Sequence, residues 1–171
     1  MRPTQAVFRA IGAGIHHARS VNMPDARNML ALKDHVYFAK ATAEGSGRNG
    51  IVKSVGDSPL ELKMATPKII GGKGDGCNPE QLFGMGYASC FLGSLQLMAA
   101  RANKKHIAEN AKVHTNVFLG HPEDPNIEGF GLRVDVTIEG CDDDEVINAA
   151  HEFCAYSRAL RYGAQVTINK M

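Results

Sequence analysis

The chain has 171 residues, with 19 Lys and Arg against 18 Asp and Glu and a net charge of +1 when histidine is neutral. That length supports one domain with a real core, and without a Lys/Arg cluster interleaved with aromatics it lacks the electrostatic footprint of a nucleic-acid binder. The four cysteines, Cys77, Cys90, Cys141 and Cys154, are too few and too scattered for a disulfide scaffold, and no C-x-x-C pair suggests a zinc ribbon.

The first acidic residue is Asp25, by which point Arg2, Arg9 and Arg19 have already passed. Val7, Ile11 and Ile15 recur every four residues, and an amphipathic, acid-free, Arg-containing start is the pattern of an organelle transit peptide. Residues 1–32 are therefore expected to be a transit peptide of mitochondrial or related type; the alternatives are a disordered extension, which Gly12 and Gly14 favour, and a cytoplasmic protein. The globular domain is expected over 33–171.

Val36–Ala43 and Gly50–Val55 read as short strands joined by a Gly/Ser-rich turn, Glu44–Asn49, that carries Arg48. Leu60, Leu62 and Met64 alternate with Glu61 and Lys63, which predicts a third strand with one buried face. The glycines of Thr66–Cys77 match no phosphate-binding fingerprint, because no Gly-Lys-Ser/Thr follows and no strand immediately precedes them.

Asn78 suits an N-cap, Pro79 the first helical position and Gln81 a capping box, so a helix is predicted to start here and run to Arg101. No residue between Glu80 and Arg101 is charged and no wide polar face remains, so the helix must be wrapped on most sides. Its uncharged stretch also meets the length rule for a membrane span. The scattered Gly, Ser and Gln and a strand-rich remainder that needs packing favour a buried soluble helix over a span.

Val113, Thr115, Val117 and Leu119, then Leu132, Val134, Val136 and Ile138, alternate with polar residues and predict two antiparallel strands with one wet face. Asp142, Asp143 and Asp144 sit where a helix dipole favours negative charge. After them Val146, Ala149, Ala150, Phe153, Cys154 and Ser157 trace a single stripe of a second helix, and Gln165–Asn169 reads as a closing strand. The sum is an α+β domain: strand meander, buried central helix, second sheet, second helix.

A cysteine on an apolar helix is by default a small hydrophobe. Cys90 has company that changes its meaning: Cys154 on the apolar face of another helix, Arg48 in a Gly-rich turn and Glu80 at the helix head. A thiolate needs a positive charge to offset its desolvation, and Arg48 could supply it. His151 lies one turn before Cys154, but without a second ligand at the right spacing it does not make a metal site. Cys141, beside three acids, is read as a bystander.

Four segments resemble the organic hydroperoxide resistance proteins of the OsmC-like superfamily: Gly47-Arg48-Asn49-Gly50, Asn78-Pro79-Glu80-Gln81-Leu82-Phe83, Gly86-Tyr87-Ala88-Ser89-Cys90-Phe91, and Cys154-x-Tyr156-Ser157. Ala155 stands where that family generally has Pro, and Cys77 where it generally has Thr. The resemblance implies an OsmC-like fold in an intertwined homodimer and a cofactor-free peroxidase. Cys90 would attack the peroxide, Cys154 resolve it, Arg48 stabilise the thiolate and Glu80 partner Arg48. The substrate implied is an organic, lipid-like hydroperoxide and the reductant a dihydrolipoyl protein or another dithiol. Phe83, Tyr87 and Phe91 share the helix region of Cys90 and are candidates for an apolar substrate pocket. The competing reading is a non-enzymatic OsmC-like protein that binds a lipid-like ligand and keeps its cysteines structural. Glu80 and Cys90 lie ten residues apart, about 15 Å on a helix, so Glu80 would have to act on the Cys90 of a second subunit.

Overall fold

The computed structural model describes residues 29–170, so the proposed transit segment lies outside the described residues apart from its last few positions. Among those, Leu30 forms a parallel bridge to Ala164, which sets the chain against the fold slightly before Lys33.

Strands β1 (Lys40–Glu44), β2 (Ile51–Val55) and β3 (Glu61–Lys63) form an antiparallel meander in the order β1-β2-β3. The Gly47–Asn49 turn between β1 and β2 is a single 3-10 turn that leaves Arg48 at the sheet end. Helix α1 (Pro79–Arg101) starts as the sequence predicts. The Gln81 N–H donates to Asn78 Oδ1 and the Asn78 N–H donates to Gln81 Oε1, both at 2.9 Å, which satisfies two of the helix's orphan donors.

Strands β4 (Lys112–Gly120) and β5 (Gly131–Glu139) pair antiparallel with Val113 opposite Ile138 and Val117 opposite Val134. Of the predicted inward residues, Val113, Val134, Val136 and Ile138 pack on the core and Thr115 and Val117 meet Gly84 of α1, while Leu119 lines an open cleft and Leu132 is exposed. Gly84 allows the approach: a Cβ there would come within 3.1 Å of Thr115 Oγ1, which donates a 3.0 Å hydrogen bond to the Gly84 carbonyl. Helices α2 (Asp144–Phe153) and α3 (Ala155–Tyr162) complete the layer. Tyr87, Phe91, Leu95 and Ala99 of α1 form the core with Val146, Ala150, Cys141 and Cys154.

Four expectations need correction. The second helix is two, because Cys154 takes an extended backbone (φ −62°, ψ 126°) that ends α2 and begins α3, and Ala149 and Phe153 lie on the exposed side. The closing strand does not form among the described residues; Val166 and Ile168 are exposed and pair with no strand. The first strand begins only at Lys40, leaving Val36, Tyr37 and Phe38 exposed. Finally, α1 is wrapped on one side only. Gln81, Met85, Ser89, Gly93 and Leu97 stay exposed at helical spacing, with Met85 69% exposed. Length and composition alone would let α1 cross a membrane, but it packs on β4 and α2 as a central helix, and one such helix is weak ground for a span.

Candidate active site

The break at Cys154 shapes the site. The Cys154 N–H donates to the Ala150 carbonyl at 2.8 Å to close α2, while its own carbonyl accepts from Arg158 at 3.0 Å to open α3. Its side chain therefore sits at the head of a new helix, where free N–H groups favour negative charge. Cys90, three turns into α1, meets it there: the two Sγ atoms are 3.4 Å apart, both cysteines are free thiols, and Cys154 is 0% exposed.

The two thiols are held differently. Burial pushes the Cys90 thiol up, and the hydrogen bond and charge of Cys154 add to it, against a smaller pull from the N–H groups of Tyr156 and Ala155. Burial also raises Cys154, but the Ser157 N–H, the Cys90 thiol, the Ser157 hydroxyl and the Tyr156 N–H outweigh it, so its net shift is down. Arg48 makes its ion pair with Glu80, while the contact made by the Cys90 thiol is with Cys154.

An aromatic wall backs the sulfurs. Tyr87 stacks on Tyr156 with ring centroids 5.8 Å apart and 19° between planes, and Phe83 and Phe91 meet Tyr87 edge-on. Gly86 makes room, since a Cβ there would lie 2.9 Å from the Tyr156 hydroxyl oxygen. Of the three residues expected to bind substrate, Tyr87 and Phe91 are buried core side chains, and only Phe83 keeps partly exposed surface. The Tyr87 hydroxyl is already engaged, 2.8 Å from Ser157 Oγ, and His151 Nδ1 lies 3.1 Å from the same oxygen. Sequence reading gave no role to Tyr156 or Ser157. The available signal was spacing: Ser157 lies three residues after Cys154, where the N3 partner of an N-cap belongs.

Arg48 and Glu80 form a second pair, a direct ion pair from the β1–β2 turn to the first turn of α1, with side chains 39% and 16% exposed. They line an open cleft of about 1530 Å³ whose other walls include Cys77, Ile70, Met85 and Phe130. Cys90 does not line it. The fold thus brings the two sulfurs together and the two charges together, as separate pairs.

A family model described as OsmC-like protein matches residues 72–169. An organic hydroperoxide resistance protein of Xanthomonas axonopodis pv. citri is 39% identical over 146 residues, 82% of this chain and 98% of the relative. The organic hydroperoxide resistance protein OhrB of Bacillus subtilis is 36% identical over 138 residues, 78% of this chain and 96% of the relative. The crystal structure of B. subtilis OhrB matches with a TM-score of 0.63 over 77% of this chain and 96% of that one. An organic hydroperoxide resistance protein OsmC from Legionella pneumophila matches with a TM-score of 0.64 at 36% identity, over 77% of this chain and 95% of that one. These relatives are bacterial, from cells without mitochondria, which overturns the expected organelle targeting and favours the cytoplasm, the alternative kept beside it.

Proposed function

The chain belongs to the OsmC-like protein family, among relatives named for organic hydroperoxide resistance, and from that premise we propose that residues 33–171 form a thiol-dependent peroxidase domain acting on organic hydroperoxides. The observation that carries this reading is the 3.4 Å contact between Cys90 and Cys154 against an aromatic wall. The Cys90 thiolate attacks the outer oxygen of R–O–O–H, the O–O bond breaks, and the alkoxide leaves as an alcohol after taking a proton. Cys90 is then a sulfenic acid. Cys154 displaces its hydroxyl, forming a disulfide and water, and an external dithiol, for which we propose a dihydrolipoyl protein, returns both thiols.

Arg48 and Glu80 enter through a second copy of the chain. Burial opposes a thiolate on Cys90, so a cation has to come from elsewhere. The open face of α1, the apolar cleft beside Arg48 and the unpaired segments at Val36–Phe38 and 165–169 are surfaces that an intertwined homodimer would cover. In that dimer Glu80 holds the Arg48 of one chain against the Cys90 of the other. Phe83 is the proposed contact for an apolar substrate, with Tyr87 and Phe91 forming the wall behind it.

Titrating thiols after one addition of cumene hydroperoxide tests the reading. A peroxidase loses two thiols per chain rapidly, and Cys90→Ser shows none of that phase. A lipid-binding protein with structural cysteines keeps its thiols and contradicts the proposal.

A further inference from the structure

The redox scheme needs two sulfurs on different elements to meet, and neither cysteine fixes the other's place. Cys154 is the joint between α2 and α3, with an extended backbone, and in the eight-residue helix that follows Ser157 alone is buried. His151 Nδ1, 3.1 Å from Ser157 Oγ, ties α3 back to α2. So does Glu152, whose carbonyl accepts from Arg158 Nε at 2.6 Å and whose carboxylate pairs with Arg161. These contacts fold α3 against α2 but do not seat it on α1, which carries Cys90.

The seat is a two-residue step on α1, Gly86-Tyr87, four and three residues before Cys90 and so on the same face of the helix. Tyr87 grips the first turn of α3 at two points: its ring stacks on Tyr156, and its hydroxyl lies 2.8 Å from Ser157 Oγ. Phe83, one turn earlier, also meets the Tyr156 ring, with centroids 5.8 Å apart. Gly86 receives the far end of that ring. An added Cβ would lie 2.9 Å from the Tyr156 hydroxyl oxygen but 3.5 Å from the nearest ring carbon, so only the hydroxyl depends on the missing side chain.

We propose that Gly86, Tyr87 and Tyr156 are the positioning residues of the Cys90–Cys154 pair, acting through the head of α3 rather than on the sulfurs. Held 3.4 Å apart, the sulfurs need only close to the ordinary S–S length of about 2.05 Å. Little freedom is then lost when the bond forms, which raises the effective concentration of one thiol at the other and favours the disulfide. The seat deepens the peroxidase reading by making Cys154 the resolving partner, but its effect on the dithiol–disulfide equilibrium needs no peroxide.

Equilibrating the full chain with glutathione redox buffers tests this, with the Cys90–Cys154-linked peptide counted by mass spectrometry. Glutathione disulfide takes up the two electrons and two protons and leaves as two thiols, while Cys90 and Cys154 lose their protons and join. Tyr156→Ala should lower the equilibrium constant about tenfold, a potential about 30 mV less negative. Tyr156→Phe keeps the ring and should stay near the unaltered chain, while Tyr87→Phe, which loses the Ser157 contact alone, should fall between. Gly86→Ala favours the helix, yet should shift the potential as Tyr156→Ala does, and the double variant Gly86→Ala with Tyr156→Phe should restore it, because the clashing hydroxyl is gone. Asn78→Ala, which loosens the far end of α1, should leave the potential where it is. A potential unmoved by Tyr156→Ala, or a double variant no better than Gly86→Ala, would overturn the proposal. A chain that loses no thiols to hydroperoxide would overturn the peroxidase reading, while this equilibrium still decides what the seat does.

Discussion

The sulfur end and the charged end of this molecule are built to different standards. Around Cys90 and Cys154 one chain supplies everything packing requires: α1, α2 and α3 enclose the thiols, Leu95 and Ala99 are fully buried nearby, and the polar atoms are paired. Around Arg48 and Glu80 the same chain supplies an ion pair and then stops, at a sheet whose first strand is wholly exposed and a cleft with one apolar wall open. The contrast is that the two sulfurs are enclosed within one chain, whereas the Arg48–Glu80 pair lies at an open surface, where the proposed dimer would bring a neighbour.

The largest effect that sharpens the contrast is on turnover. Cys90→Ser should lower peroxide consumption by roughly 10³-fold or more, as loss of a nucleophile does. Cys154→Ser should still complete the first oxidation and then fail to recycle, a difference that single-turnover and steady-state assays separate. Arg48→Ala should follow with a loss of about 10²-fold, the scale for removing one group that stabilises a reacting charge. That deficit carries a pH signature. Burial already holds the Cys90 thiol up, so without the guanidinium it stays protonated at neutral pH and regains its thiolate as pH rises. The gap between Arg48→Ala and the unaltered protein should therefore narrow toward alkaline pH, and a constant ratio would detach Arg48 from the thiol's ionisation.

Stability separates the same two regions. Leu95→Ala, at a fully buried position, should cost about 3 kcal/mol in denaturant unfolding. Ile70→Ala, on the half-exposed wall of the cleft, should leave the single chain nearly as stable and instead weaken association, read by sedimentation. Asn78→Ala should cost about 1 kcal/mol from the lost capping box. An equal loss of stability from Ile70→Ala and Leu95→Ala would erase the distinction.

The legible parts of the sequence were those where a local pattern and the tertiary environment agree. The Asn78-Pro79-Glu80-Gln81 start announced α1, and the period-two alternation of 113–119 and 132–138 fixed which side of each strand faces the helix. The break at Cys154 was hidden because Val146, Ala150, Cys154 and Ser157 all keep a helical period, and Ala155 stands where the family generally has a Pro that would mark a new helix. The wrapped helix, the early start of β1 and the closing strand at 165–169 failed for a shared reason. Their hydrophobic patterns are real, but among the described residues nothing covers them, and the proposed dimer would supply the missing surface. For the site, the resemblance singled out both cysteines and the Arg48–Glu80 pair. The Tyr87–Ser157–His151 cluster came only from coordinates, since its members lie on three helices and no spacing links them.

The most direct test of a site made from one chain's sulfurs and another's guanidinium is complementation. Arg48→Ala and Cys90→Ser chains, each inactive alone and carrying different tags, are co-expressed and assayed as a mixture. Random pairing makes half of the dimers mixed, each with one intact site, so turnover per chain should recover to about a quarter of the unaltered protein. A mixture no more active than its two parents would contradict the shared site and return Arg48 to its own chain.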